Sequence, residues 1–199
     1  MSSESFLYNP IETFGGIYQQ TLSPIFRNSL ITLSNGNLTA TNYTSNLYRS
    51  VRSVFPLFSG KHQFEVTVTD RKSQVVHIGV CGVLARMNLQ SFCFYNYSDG
   101  YAYISNGNKT NFFSDTGAVY GATYTNGDII GVCLNFFTNE LTFYKNGASQ
   151  GIAFSVISGI KSGYYAALTL YGASAVVTFN FGASAFSYPI AGYSSWNIP

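Results

Sequence analysis

The sequence has very little charge for a chain of 199 residues. Lysine and arginine total 10 and aspartate and glutamate total 8, so the formal net charge is +2 and charged residues make up only 9% of the chain. An ordinary soluble domain carries about 25%. Nucleic-acid binding needs a clustered basic face that neutralises many phosphates. The nearest approaches are the pairs Arg49/Arg52 and Arg71/Lys72, so we expect no nucleic-acid partner.

The cysteine pattern of a secreted domain is also missing. Cys81, Cys93 and Cys133 are odd in number, lack CxxC spacing and lie in or beside apolar runs. We therefore expect free, buried thiols. The first residues contain neither the basic nor the apolar region of a signal peptide. Together these features predict a cytoplasmic or nuclear location.

Long apolar runs are absent as well. Residues 162–199 carry no charge, but glycines, an asparagine and a proline interrupt them. A membrane-spanning helix needs about 18 consecutive apolar residues, and this segment has no such run. Buried strands explain its composition better, so we expect no membrane association.

Residues suited to catalysis or metal binding are scarce. His77 and Cys81 fall on the same face of a predicted strand, but four residues along a strand span about 13 Å, which is too far for a Cys–His pair. Structural zinc needs four closely spaced N or S ligands, whereas the histidines and cysteines are scattered from His62 to Cys133. The aspartates form no calcium-binding loop. We expect no catalytic residues, metal or cofactor, and therefore a chain that is not an enzyme.

The residues that are abundant predict β-structure. Four Asn-Gly dipeptides, beginning at Asn35, Asn106, Asn126 and Asn146, stand between apolar or alternating runs. Asn-Gly is a strong hairpin signal because both residues tolerate positive φ. The flanking segments are short and rich in β-branched or aromatic residues, without helical periodicity. The predicted strands are Leu30–Leu33, Val51–Phe55, His62–Thr69, Val75–Val80, Ile129–Phe136, Glu140–Tyr144, Gly151–Val156, Tyr164–Tyr171 and Ala175–Phe181.

The alternation of polar and apolar residues indicates which strands are central. Phe64, Val66 and Val68 point to one face of their strand and polar residues to the other. Residues 129–134 and 166–170 are apolar on both faces, as expected for strands in the middle of a sheet. Many short strands joined by turns are typical of a sandwich or a barrel. We find no linker or repeat and therefore predict a single all-β domain.

Eight segments, read in order, resemble the SPRY domain family. The combination of GDIIGVCLN with LTFYKNG is the most specific part of the pattern, and the resemblance extends from about Ser29 to Tyr193. The eight segments are Tyr48–Ser53, Gly60–Val66, Ile78–Val80, Gly100–Tyr103, Tyr120–Gly121, Gly127–Val132, Leu141–Gly147 and Phe179–Gly182.

The resemblance implies an all-β, bent sandwich of two antiparallel sheets without catalytic activity. It also implies that loops at one end bind a short linear segment of another protein. On this basis residues 29–193 form the SPRY domain, residues 1–28 an extended segment packed on it, and residues 194–199 a C-terminal tail. We expect a monomer.

The resemblance also suggests where a partner binds. In the SOCS-box branch of the family the peptide pocket is built from three segments, which correspond by position to Thr41–Leu47, Val83–Tyr97 and Tyr171-Gly172. Tyr171 stands where that branch has Trp, and the Arg-x-Pro-x-Ala pattern of the first loop is absent, so the asparagine-rich ligand of that branch is not expected. The candidate partner-binding residues are Thr41, Tyr43, Ser45, Gln90, Tyr97, Tyr171 and Gly172.

Within this candidate site Tyr171 is expected to anchor the partner, and Gly172 is expected to let the partner backbone approach closely. The alternative is that Tyr171 fills the core beside Leu168 and Leu170. Two other functions remain open at this point. One is a lectin-like sandwich that binds glycans through exposed tyrosines, and the other is an assembly or structural role.

Overall fold

The computed structural model describes residues 19–43, 47–85, 87, 100–111, 117–155 and 163–197. Within these residues the chain forms fifteen β-strands and no α-helix. The strands are β1 (Leu22–Arg27), β2 (Ile31–Ser34), β3 (Thr39–Asn42), β4 (Tyr48–Ser53), β5 (Lys61–Asp70), β6 (Val76–Cys81), β7 (Gly100–Ile104), β8 (Asn108–Asn111), β9 (Ala118–Val119), β10 (Ile129–Asn135), β11 (Glu140–Lys145), β12 (Ala148–Phe154), β13 (Tyr165–Tyr171), β14 (Ala175–Asn180) and β15 (Ser194–Ser195).

The strands form two sheets. A seven-stranded sheet has the order β1-β4-β13-β6-β7-β8-β9, and an eight-stranded sheet has the order β12-β11-β10-β5-β14-β3-β2 with β15 beside β5. All of the pairings within these two orders are antiparallel, and β15 alone runs parallel to its neighbour. The predicted all-β fold of two antiparallel sheets is confirmed.

The Asn-Gly dipeptides close three of the four predicted hairpins, namely β2–β3, β7–β8 and β11–β12. At Asn146-Gly147 both residues have positive φ, 49° and 79°, as a tight two-residue turn requires. The prediction is wrong at Asn126, which lies between β9 and β10, strands of different sheets. Its side-chain oxygen instead accepts a 2.7 Å hydrogen bond from the Arg71 amide and ties the connection to the end of β5.

The core lies between the sheets and is strongly aromatic. Phe64, Val66 and Val68 are fully buried, as their alternation predicted. The Phe64 ring contacts Trp196 edge-on at 5.0 Å and stacks on Phe179 at 5.8 Å. Such aromatic pairs contribute about 0.5–1.5 kcal/mol each beyond their area burial. β10 and β13 each lie between two neighbouring strands, as their two-sided apolar sequences predicted.

Both predicted flanking segments contribute strands to the sandwich. Leu22–Arg27, within the expected N-terminal extension, forms the edge strand β1, which pairs with β4. Ser194–Ser195, within the expected C-terminal tail, pairs with β5, and the neighbouring Trp196 is fully buried. No helix long and apolar enough to cross a membrane occurs in the described part of the chain.

Strand registers define the two ends and the outer faces used below. β3, β5 and β13 end, and β4, β6 and β14 begin, at one end of the sandwich, called here the Tyr171 end, because Tyr171 pairs with Tyr48, Leu170 with Val76 and Ala175 with Asn42. β4 and β6 end, and β5, β7 and β13 begin, at the opposite end. Side chains that alternate with core residues point away from the core and form the outer face of each sheet.

Candidate functional site

Tyr171 lies on the outer face of the seven-stranded sheet. It alternates with Leu170, whose side chain is in the core, and its own side chain is only half-buried. The Tyr171 ring packs against the ring of Tyr48 with centroids 4.7 Å apart. Tyr48 in turn contacts the His77 ring edge-on at 5.6 Å. The alternative in which Tyr171 fills the core is therefore wrong.

Asn42 joins two of the predicted binding segments at the Tyr171 end. Its buried side-chain amide donates hydrogen bonds to the carbonyl oxygens of Gly172 at 3.0 Å and Leu170 at 3.4 Å. This fixes the end of β3 against the β13–β14 turn. Tyr43, which follows Asn42, is 65% exposed. The sequence prediction did not include Asn42, since an asparagine at the end of a strand gives no local sign of a partner 130 residues away.

Thr41 belongs to the same end but to a different surface. It alternates with the core residue Ala40 and pairs with Thr32 and Val176, so it lies on the outer face of the eight-stranded sheet. Tyr171 lies on the outer face of the other sheet. The structure therefore places Thr41, Tyr43, Tyr171 and Gly172 at one end of the sandwich, without bringing Thr41 onto the surface that carries Tyr171.

Gly172 is needed for the fold of the turn. Its φ is +85°, and a Cβ atom built there would overlap the side-chain amide of Gln74. The group that approaches Gly172 closely is thus a side chain from the β5–β6 turn of the same chain. In this structure the Gln74 side chain occupies the space in which a partner backbone is expected.

The third predicted segment, the β6–β7 connection, leaves the sheet at the opposite end. Cys81, the last residue of β6, pairs with Tyr165 at the start of β13. Val83 and Leu84 follow it and are exposed. Further along, Ala85 and Met87 are buried and pack back onto the outer face of the seven-stranded sheet. Tyr48 packs against the cluster that they form with Cys81, Ala102, Tyr165 and Ala167. Three candidate residues, Ser45, Gln90 and Tyr97, lie outside the described residues.

Burial holds two titratable side chains neutral, His77 on the seven-stranded sheet and Cys133 on the eight-stranded sheet. His77 is fully buried, and desolvation lowers its pKa to about 3. Its strand partners are Thr169 and Ile104, whereas Cys81 lies at the other end of β6. Burial also raises the pKa of the Cys133 thiol to about 12. Among the described residues, no group of histidine, cysteine and carboxylate side chains is arranged to hold a metal ion.

Comparisons with known proteins show the family to which this fold belongs. A family model of the SPRY domain matches residues 61–184. The chain belongs to the SPRY domain family. This confirms the family predicted from the eight sequence segments. Membership of this family indicates a role in protein interaction.

Relatives and solved structures extend the comparison. Ran-binding protein 9 of Xenopus tropicalis is 35% identical over 184 residues, which cover 86% of this chain and 31% of that protein. The E3 ubiquitin-protein ligase RKP of Arabidopsis thaliana is 30% identical over 149 residues, or 74% of this chain and 11% of that protein. The chain thus spans a third or less of the curated relatives it matches. The SPRY domain of human HERC1 superposes with a TM-score of 0.66 at 19% identity, covering 82% of this chain and 99% of that one, and shares the fold.

Proposed function

We propose that this SPRY domain binds a short linear segment of a partner protein at the Tyr171 end, on the outer face of the seven-stranded sheet. The observation that supports it most is the pair formed by Tyr48 and Tyr171. Their rings pack together outside the core, where β4 begins and β13 ends. An aromatic pair that the core does not require is suited to hold a partner side chain.

The chemistry of this surface favours a neutral or apolar anchor on the partner. Tyrosine supplies a large contact area for little loss of conformational entropy, which is why combining loops use it often. Tyr43 adds a further exposed ring at the same end of the sandwich. His77, beneath Tyr48, is uncharged at neutral pH because burial lowers its pKa to about 3. The anchor therefore meets rings and hydroxyl groups.

The test uses peptides selected from a library of phage-displayed random 12-residue peptides on the wild-type protein. We expect Tyr171→Ala to weaken the selected peptides by about 30- to 1000-fold, as for an aromatic residue at the centre of a small interface. The melting temperature should change little, because Tyr171 is only half-buried. Tyr188→Ala is the matched control, since it removes another exposed tyrosine from a different surface.

The outcomes separate the alternatives. Peptides that keep their affinity for Tyr171→Ala would place the binding site elsewhere and contradict the proposal. A glycan-array signal that survives protease treatment, with no peptide selected, would favour the lectin-like function instead. Ran should be tested alongside the peptides, because relatives of this chain are named Ran-binding proteins. Loss of Ran binding in Tyr171→Ala would assign that partner to the same surface.

A further inference from the structure

Arg52 occupies an unusual position on the outer face of the seven-stranded sheet. The residue is only 4% exposed. Its guanidinium carbon lies 4.2 Å from the ring centroid of Phe26 and 3.8 Å from that of Tyr165. Phe26 belongs to β1 and Tyr165 to β13, the two strands that flank β4 in the sheet. Cation–π contacts on two rings therefore hold the guanidinium plane in a fixed orientation.

Two of the three nitrogens of this guanidinium make no hydrogen bond. Its Nε and Nη1 atoms are buried without a hydrogen-bond partner. Arg49 and Arg27 also have a buried Nε without a partner, but their Nη1 atoms are engaged. Arg49 Nη1 donates to the Tyr48 carbonyl oxygen at 2.9 Å, and Arg27 Nη1 donates to the Ser29 carbonyl oxygen at 3.3 Å. Buried polar groups are nearly always hydrogen-bonded. Burying a charge without a partner lowers the stability of the folded state by about several kcal/mol. A group that departs from both rules requires an explanation.

The carboxylates of the described residues are all engaged elsewhere. Glu65 accepts hydrogen bonds from backbone amides, Asp70 pairs with Lys72, Asp128 pairs with Lys145 at 3.2 Å, and Glu140 accepts from Thr138. No ion pair to Arg52 is present in the parts of the chain described above. The anion that would complement Arg52 is thus not supplied by these residues.

A distortion of β1 creates the rim of this site. β1 pairs with β4 at Leu22 and again at Arg27, but three additional residues of β1 are inserted between these points. The Ser23 hydroxyl accepts the Phe26 amide at 2.9 Å and stabilises the bulge. Bulges often redirect a side chain at functional sites. Here Phe26 and its neighbour Ile25 remain 50% and 81% exposed, and since β1 is an edge strand no further strand restrains them on the outer side.

We propose that Arg52, Phe26 and Tyr165 form a recognition site for an acidic residue of a partner protein, either a carboxylate or a phosphorylated side chain. The two rings lie against the guanidinium, so an oxyanion reaches its edge only when the half-exposed Phe26 side chain moves aside. The donors uncovered there match carboxylate or phosphate oxygens in a bidentate arrangement. The apolar rim formed by Ile25 and Phe26 suits a residue within a polypeptide better than a free ion. Arg52 is four residues along β4 from Tyr48, or about 13 Å, and the site is therefore separate from the Tyr171 end.

The test measures binding of short degenerate peptide pools that differ only in one fixed central residue: glutamate, phosphoserine, glutamine or serine. At physiological ionic strength we expect the wild type to bind the glutamate or phosphoserine pool at least about tenfold more tightly than the matched neutral pool. Arg52→Gln should remove this preference. Lys61→Gln, which removes the same charge from an exposed position on β5, should retain it, and so should Tyr171→Ala.

A second measurement does not depend on a variant that folds. The Nε–Hε NMR signal of Arg52 in the wild-type protein should shift on addition of the preferred pool, because an anion bound at the guanidinium changes the environment of that proton. Absence of both the shift and the preference would overturn the proposal and leave Arg52 as a stacked structural residue. Equal loss of preference in Lys61→Gln would also overturn it, since the effect would then be nonspecific charge. If inorganic phosphate alone binds as tightly as the phosphoserine pool, the site binds free anions and its assignment to a partner residue is wrong.

Discussion

Among the described residues each outer face of the sandwich buries one charged side chain, and the two differ in their hydrogen bonding. On the eight-stranded sheet Glu65 is 3% exposed and accepts hydrogen bonds from the amides of Ser187 and Tyr188 at 2.9 and 2.7 Å. On the seven-stranded sheet Arg52 is 4% exposed and lies between two rings with no acceptor. The fold itself therefore accounts for the buried glutamate, whereas it leaves the donors of the buried arginine unused.

This difference separates a structural face from a candidate recognition face. The segment after β14 crosses the outer face of the eight-stranded sheet, and Gln63 secures it further by accepting the Ile190 amide at 2.6 Å. The outer face of the seven-stranded sheet carries Arg52 and the Tyr48/Tyr171 pair, none of which the core needs. We infer that stability depends more on the polar side chains of the first face and binding more on those of the second.

The largest effect on stability is expected for Glu65→Met. The variant leaves two backbone amides without their charged acceptor, and we expect it to lower the free energy of unfolding by about 3 kcal/mol, since each hydrogen bond to a charged group contributes about 1.5–3 kcal/mol and these amides are partly solvated. Urea denaturation measures the loss. Glu140→Met, which removes a carboxylate bonded only to the Thr138 hydroxyl, should change stability by less than about 1 kcal/mol. A Glu65→Met protein as stable as the wild type would refute the structural role.

The next largest effect is a pH dependence caused by His77. Burial lowers its folded-state pKa to about 3 from the ordinary histidine value of 6.5. Between these values the unfolded chain binds a proton that the folded chain does not bind, so stability is complete above pH 6.5 and falls as the pH decreases toward 3. The contribution is about 1.4 kcal/mol per pH unit at most, or roughly 2–3 kcal/mol between pH 6.5 and 4.5.

His77→Met isolates this contribution from that of the carboxylates. Whatever its stability at neutral pH, the variant should lose about 2–3 kcal/mol less than the wild type between pH 6.5 and 4.5. Urea denaturation at both pH values provides the comparison. Equal losses for the two proteins would mean that His77 accepts a proton in the folded state, and the outer face of the seven-stranded sheet would then be more accessible to water than its burial indicates.

The fold was predictable where local pattern and long-range pairing agree. Phe64, Val66 and Val68 alternate with polar residues and are all in the core, and Asn146-Gly147 closes a hairpin. The same dipeptide at Asn126 closes none, because the strands on either side of it join different sheets. A turn signal specifies local backbone angles but not the partner of the next strand. β1 was not predicted as a strand, since Pro24 and the bulge around it remove the alternation that identifies strands.

The candidate site was less predictable for a related reason. Thr41 and Tyr171 do lie at one end, yet they face opposite sides because β3 and β13 belong to different sheets. Gly172 has the expected freedom of φ, but the neighbour that uses the space is Gln74. Nothing in the local sequence of Arg52 shows that its charge has no partner. That property depends on where the carboxylates lie after folding, and no sequence window contains the information.

The smallest stability effect is expected for Arg52→Met, which keeps an apolar side chain between Phe26 and Tyr165 and removes a buried charge without an acceptor. Replacing buried charges by apolar residues of similar size is often neutral or stabilising, and the loss of two cation–π contacts opposes this by about 1 kcal/mol each. We therefore expect the free energy of unfolding to stay within about 1 kcal/mol of the wild type. Arg49→Met is the control, because it also removes the hydrogen bond to the Tyr48 carbonyl and should cost about 1–3 kcal/mol.

If Arg52→Met instead costs as much as Glu65→Met, stacking makes Arg52 as structural as Glu65, and the contrast between the two faces is lost. If it is neutral in urea denaturation yet loses the preference for acidic peptides, the unused donors serve a partner and not the fold.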